Sequence, residues 1–362
     1  MKTLLLLLFV LFVVGCDARP APWIRIPHVA FSPDGKWLVA AGGRLGKLGR
    51  PWGGDGVVKV WQTSNWKLHA TWKDGFTNPV DQLFFVSKEI VATASDKLIR
   101  DTPGSPDDGV LVRYWEIATK KELPPLHLHL KDTRHAFGIG YYAPDKLVAY
   151  NSGDLRKVGI FTLPNLEKKC TLEGHPKGSW LLQFSPDGKR ILSLSYEKPF
   201  VRLHDVATGK RIAEHNLDYD LDTANPNEIN IHGVQARFSS DGKMIAVAEN
   251  SKVYVLTSDL SAVLFDVKGE HPRGRAEFSP DSEMIAVRNK DSKVVELYSL
   301  KTKEVVKSFS NNPEGAYAWC FSPDGNWIAI TSAGDPGGSG RFPPSKVRVF
   351  EVKTGKLVAE LD

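Results

Sequence analysis

The chain has 362 residues, 42% of them hydrophobic and 25% charged, and carries a formal net charge of +5, or +4 without Lys2. Charges of both signs are interspersed along it, so there is no basic stripe and a nucleic-acid partner is not expected. Length alone allows two or three domains. The first element in chain order is an apolar run over residues 4–14 behind Lys2. At 1.5 Å per residue it spans under about 20 Å, too short for a hydrocarbon core of about 30 Å. A lone cation, a short apolar core and small residues before a cut describe an export signal.

The residues that close this run, Val13-Val-Gly-Cys16, resemble the bacterial lipoprotein signature. The resemblance implies a signal peptide over residues 1–15, with the Cys16 thiol lipidated and Cys16 the first mature residue. Residues 16–22 then form a short linker. The chain would be exported and lipid-anchored to a bacterial membrane, on its periplasmic or cell-surface side. Each buried methylene contributes about 0.8 kcal/mol, so two or three acyl chains hold where one does not. The alternative is an ordinary signal cut by another peptidase, with Cys16 incidental.

After residue 22 a short motif recurs. Phe31-Ser-Pro-Asp-Gly35, Phe184-Ser-Pro-Asp-Gly188 and Phe321-Ser-Pro-Asp-Gly325 are intact, while Phe238-Ser-Ser-Asp-Gly242 and Phe278-Ser-Pro-Asp-Ser282 each differ at one position. Tyr142-Ala-Pro-Asp145 is weaker and Phe85-Val-Ser-Lys88 the poorest. Serine opens a turn, proline presets φ, aspartate bonds locally and glycine supplies the left-handed residue. Recurrence at about 40 to 55 residues marks a repeat architecture.

Short β-branched runs follow each turn. The fourth unit predicts strands over 180–184, 191–195, 200–206 and 211–215, with the corner Thr208-Gly209-Lys210 before the last. The seventh predicts 318–321, 327–331, 347–352 and 357–361, cornered by Thr354-Gly355-Lys356. No stretch beyond residue 16 keeps a helical period. Inner runs such as Ile328-Ala-Ile-Thr331 and Met284-Ile-Ala-Val287 are apolar on both alternating faces, so both faces are covered. Four-stranded antiparallel sheets of this kind stack around an axis. The expectation is an all-β, seven-bladed β-propeller over residues 23–362, with no second domain.

These turns, with Val57-Val-Lys-Val-Trp61 and Val110-Leu-Val-Arg-Tyr-Trp115 as third strands and Leu172-Glu-Gly-His175 before a repeat, resemble WD40-type β-propellers. The resemblance covers essentially everything after the N-terminal segment. It implies a non-catalytic, monomeric scaffold that binds protein partners and needs no cofactor. Only one unit has Gly-His, and most third strands end in Tyr, Phe, His or Leu. The buried Asp/His/Ser/Trp network of that family is therefore mostly missing, and packing carries more of the stability.

Cys170 and Cys320 fall in the fourth strand of unit three and the first strand of unit seven, too far apart for a bridge. Loops joining strands two and three are long over residues 42–56, 96–109 and 334–345, in units one, two and seven, which are neighbours once the ring closes. A fourth insertion, 218–232, leaves from the same end across the ring. Arg44, Lys47, Arg50 and Trp52 on the first loop, Arg100 and Asp101 on the second, and Arg341 and Phe342 on the third are the candidate partner-binding residues. Insertion drift in surface loops is the bland explanation; adjacency on consecutive blades argues for function.

Other constellations read as structure. His127 and His129 sit on an exposed outer strand, not a metal site. Asp218, Asp220 and Asp222 lack the glycine and late glutamate of a calcium loop. Ser193 and Ser195 beside His204 lack a nucleophile elbow. Gly337-Gly-Ser-Gly340 lacks the lysine and helix of a phosphate loop. The corners Asp205–Gly209 and Glu351–Gly355 resemble those of quinone-cofactor dehydrogenases, without their tryptophan-rich docking pattern. A propeller enzyme or a ligand site at the mouth of the central channel is the alternative class. For the anchor, Cys16→Ser is expected to release the protein from membranes and to abolish palmitate labelling. A variant that stays bound, with a wild type that takes no label, ends that reading.

Overall fold

The recurring turns close their hairpins with one set of bonds. The Ser32 hydroxyl donates to Asp34 Oδ1 at 2.7 Å and accepts the Trp37 amide at 3.0 Å, and Asp34 accepts the Lys36 amide at 3.2 Å. Ser185–Asp187, Ser239–Asp241, Ser279–Asp281 and Ser322–Asp324 repeat the serine-to-aspartate bond. The Ser185 hydroxyl holds the Asp187 carboxyl below the usual carboxylate range against the opposing effect of burial. Where Ser282 replaces glycine it takes φ +60° itself, and its hydroxyl accepts the Asp241 amide of the preceding unit at 3.2 Å. The poorest copy still turns, with Ser87 Oγ accepting the amides of Glu89 and Ile90.

The structure is a computed structural model. It describes residues 24–44, 56–73, 80, 82–97, 109–129, 138–151, 157–175, 179–195, 200–216, 235–248, 252–268, 275–289, 293–310, 315–332 and 345–362. Blade 1 holds β1 (Ile24–Phe31), β2 (Trp37–Arg44), β3 (Gly56–Gln62) and β4 (Lys67–Lys73); blade 2 holds β5 (Gln82–Phe85), β6 (Ile90–Lys97), β7 (Gly109–Glu116) and β8 (Lys121–His129). Blade 3 follows with β9 (Gly140–Tyr142), β10 (Leu147–Asn151), β11 (Val158–Thr162) and β12 (Glu167–Thr171). Blade 4 has β13 (Ser179–Phe184), β14 (Arg190–Ser195), β15 (Phe200–Asp205) and β16 (Arg211–Asn216). Blade 5 has β17 (Gln235–Phe238), β18 (Met244–Ala248), β19 (Lys252–Thr257) and β20 (Val263–Lys268). Blade 6 has β21 (Ala276–Phe278), β22 (Met284–Arg288), β23 (Val295–Ser299) and β24 (Val305–Phe309). Blade 7 has β25 (Ala316–Phe321), β26 (Trp327–Ser332), β27 (Val347–Glu351) and β28 (Leu357–Leu361).

Every sheet is antiparallel in simple chain order, so the fold is an all-β propeller of seven four-stranded blades. The eight strands predicted for units four and seven lie within two residues of their observed bounds. First strands touch first strands of adjacent blades (β1 with β5 and β25, β13 with β9 and β17), so they line the axis.

The core is divided among the blade interfaces. Val39, Val58 and Val60 of blade 1 pack on Val91 and Trp115 of blade 2, and Leu203 and Val201 of blade 4 on Phe238 and Tyr254 of blade 5. Fully burying each such side chain contributes roughly 1.5–3 kcal/mol. Closure uses the same device: Ile26, Phe31, Leu38 and Ala40 of blade 1 meet Ala318, Ala329, Val347 and Val349 of blade 7. Blade 7 draws all its strands from one stretch, so packing shuts the ring and, among the described residues, no strand is exchanged. Cys170 lies on outermost β12 and Cys320 on innermost β25, both as free thiols.

The third and fourth strands of every blade share a register break at one height. Ile212, Leu264, Val306 and Val358 are left as extra residues on the outermost strands of blades 4 to 7, and each is exposed. His69 and Lys169 hold the place in blades 1 and 3, and Pro124-Pro125 in blade 2. These are β-bulges.

The Thr-Gly-Lys corners test how blades seat on each other. Gly209 and Gly355 both have φ +73°. A Cβ on Gly209 would run into the Thr171 carbonyl oxygen of blade 3, whereas on Gly355 it comes close only to the flexible Lys307 side chain, 3.0 Å away, with the Ser308 carbonyl oxygen in ordinary contact at 3.9 Å. Gly355→Ala is expected to cost about 1 kcal/mol through its φ. Gly209→Ala should cost that plus roughly 1–3 kcal/mol of overpacking. Thermal midpoints compare them; equal losses would show that blade 3 is not seated on this corner.

Candidate functional site

The long loops arise from hairpin bases whose register is defined. Gly43 pairs with Gly56, Lys97 with Gly109 and Thr331 with Val347, all at the end of the ring opposite the Ser-Pro-Asp turns. The base on blade 7 is tied further by Ser332, whose amide donates to the Lys346 carbonyl and whose hydroxyl accepts the Lys346 amide, both at 2.9 Å. Blades 7, 1 and 2 are consecutive, so the fold roots all three loops side by side. Arg44 is the last residue of β2, opposite Ile24. Lys47, Arg50, Trp52, Arg100, Asp101, Arg341 and Phe342 lie outside the described residues, as do Cys16, Asp218, Asp220, Asp222 and residues 337–340.

Between the loop bases of blades 7 and 1 lies a recess of about 320 Å³, lined by Ile26, Ala40, Val57, Lys59, Ser345, Lys346 and Asp362. Ala40 and Lys59 are direct cross-strand partners, so their side chains emerge together. Burial pushes the Lys59 ammonium below its usual range, and the Asp362 charge opposes this. Lys346 is held by Glu360, which Arg348 Nε also binds at 2.9 Å. The walls are therefore apolar, with the Lys59 and Lys346 ammonium groups and the Asp362 carboxylate among them. Sequence reasoning missed Lys59, because a lysine amid Val57-Val-Lys-Val-Trp61 reads as the solvent face of a strand. The clue available was that this third strand is otherwise apolar on both faces.

The serine and histidine of the discarded hydrolase reading do meet. Ser193 Oγ lies 2.9 Å from His175 Nε2 and 3.4 Å from His204 Nδ1, and His204 Nε2 lies 2.9 Å from the Glu173 carbonyl. Ser193 has 0% exposure and His204 0%, so the trio offers no surface to a substrate. It fastens segment 172–175 to blade 4, aided by the Glu173 amide on the Gly209 carbonyl at 3.0 Å. Blade 2 has the shorter equivalent: Trp115 Nε1 donates to Thr93 Oγ1 at 3.1 Å. His204 stands where Trp115 does, opposite the second strand at Ile191 and Val91 respectively.

Along the axis, the partly exposed alternates of the inner strands include Gln183, Gln235, Arg237, Glu277 and Tyr317. Arg237 and Glu277 form an ion pair at 2.9 Å. This wall is neither a plain Ala/Val/Gln lining nor a convergent set of acids and histidines. Among the described residues no His/Cys/Asp/Glu group is arranged to hold a metal, and no helix is long and apolar enough to cross a membrane.

Residues 24–62, which are β1 to β3, match the family model described as WD domain, G-beta repeat. The chain is 27% identical over 191 residues to a bromodomain and WD repeat-containing protein of Dictyostelium discoideum, covering 48% of this chain and 8% of that one. It is 25% identical over 177 residues to Protein groucho of Drosophila melanogaster, covering 47% of this chain and 22% of that one. The chain thus spans under a quarter of the length of either relative.

Burial lowers His204 to a pKa of about 4, with Arg202 and Arg211 adding to the effect and the Glu173 carbonyl opposing it. A folded value below the unfolded 6.5 means that the unfolded chain takes the proton first. Stability is therefore full above about pH 7 and falls as pH drops through 6.5 towards 4, by on the order of 3 kcal/mol. Urea midpoints across that window measure it, and His204→Gln should flatten the slope. An unchanged slope would place the titration elsewhere.

Proposed function

We propose that this is an exported, lipid-anchored WD40-type propeller that binds protein partners through the loop end of blades 7, 1 and 2, without catalysis of its own. The observation that carries the reading is the side-by-side rooting of the three long loops, with the recess beside Lys59 between the bases of two of them. A rigid ring holds these bases apart at fixed spacing, so loops can present anchors at little ordering cost. Arg50, Trp52, Arg341 and Phe342 are the side-chain types that dominate interface energy. The recess gives an apolar partner side chain somewhere to seat.

The match to the WD repeat over residues 24–62 and the likeness to WD-repeat relatives support an interaction scaffold. The step from fold to binding is by analogy, since one fold serves many functions. Val13-Val-Gly-Cys16 supports export and anchoring through Cys16, with residues 1–15 removed. A tether at that point would leave the propeller outside the cytoplasm, on one side of a bacterial membrane.

Replacing Arg50, Trp52 and Phe342 by alanine together is expected to abolish crosslinking to partners in cells, identified by mass spectrometry. Surface changes of this kind move stability by only about 0.5 kcal/mol each, so the thermal midpoint should hold. Crosslinks of undiminished yield in the triple variant would end the loop-end reading.

A further inference from the structure

Arg275 precedes β21 on the axial side of blade 6, and its side chain spans two blades. Its Nη1 donates to the Pro27 carbonyl of blade 1 at 3.3 Å, across 248 positions of sequence. On the way the guanidinium carbon passes 6.0 Å from the Trp319 ring of blade 7. The buried Nε–H finds no acceptor among the described residues. Gln235 Oε1, at the start of β17 in blade 5, is buried and finds no donor among them. A charged donor left unmatched in this way is costly, because burial weakens its hydration without replacing it.

The charges around it do not balance. Arg237 and Arg275 are both cations, and the facing carboxylate, Glu277, lies 2.9 Å from Arg237 as an ion pair, although its buried Oε2 accepts no well-directed hydrogen bond among the described residues. Cys320, the other titratable neighbour with a shifted value, is pushed up by burial and then by Glu277, so it is neutral at pH 7. Tyr317 completes the groups facing the guanidinium. Arg275 itself is lowered by burial and by Arg237, only to about 10, and stays charged. Among the described residues one positive charge is thus in excess on this stretch of channel wall.

Its place in the fold says which end is involved. Arg275, Gln235 and Pro27 all sit at or near the starts of innermost strands, where blade-to-blade connections enter. That is the end carrying the long loops. We infer that the loop-side mouth of the central channel is a binding site for a small oxyanion, carboxylate or phosphate, received by the guanidinium groups of Arg275 and Arg237. The free amide oxygen of Gln235 favours an anion that also carries a hydroxyl, such as hydrogen phosphate or a hydroxycarboxylate. This inference stands apart from the loop-end protein partner, and either can fail alone.

Inorganic phosphate and citrate, titrated into the full chain by calorimetry and by thermal shift, test it against sodium chloride at matched ionic strength. Saturable binding of one or both is expected, with a rise in thermal midpoint that chloride does not give. Arg275→Lys keeps the charge but lacks the Nε–H, and should weaken binding at least tenfold. Arg237→Gln, which leaves Arg275 in place, should do likewise if Arg275→Lys folds poorly. No saturable binding by wild type, a midpoint rise matched by chloride, or unchanged affinity in both variants overturns the site. The triple loop variant should bind phosphate as wild type does, which separates the two readings.

Discussion

A sheet that is oily on both faces cannot rest against water on either side, and everything else in this molecule follows from that. One blade covers one face of its neighbour and exposes another face in doing so, and the deficit passes on until the last blade meets the first. Ile26, Phe31 and Leu38 against Ala318 and Val349 end the chain of exposures. Because closure uses the same type of contact as each other interface, no special latch is needed. The ring is then stiff enough to hold loop bases and inner-strand charges at set positions around an axis.

Much of this was readable from residues alone, for a physical reason. Ser-Pro-Asp-Gly is a local device: its bonds span five residues at most, so Ser32, Asp34 and Trp37 declare their geometry without tertiary help. Ile328-Ala-Ile-Thr331 likewise shows by its own composition that neither face meets solvent. The two-residue accuracy of the strand bounds in blades 4 and 7 comes from such local punctuation. Even Ser282 could be anticipated as a turn residue, though not that its hydroxyl would serve the turn of the blade before.

What escaped is non-local. Lys59 belongs to a recess only because blade 7 closes against blade 1, and Arg275 acquires its partner from the opposite end of the chain. The Ser193–His175–His204 contacts show the reverse error. Ser193 and His204 lack the surrounding motif of a reactive pair, and their structural purpose depends on a preceding segment folding onto the blade. The loop residues Arg50, Trp52 and Phe342 were chosen by residue type and by which blades carry them, and the adjacency of those blades is what the fold supplies.

The bulge near the head of every outermost strand has a consequence for life in company. Seven perimeter strands offer seven ready templates for another propeller to pair with, and several carry exposed valine, leucine or isoleucine there. An extra residue breaks the hydrogen-bond rhythm a visiting strand would have to match, and in blade 2 Pro124 and Pro125 remove donors altogether. For a chain tethered in the plane of a membrane, as proposed here, neighbours meet far more often than in free solution. A perimeter that refuses to zip lets such molecules crowd together without turning into fibres.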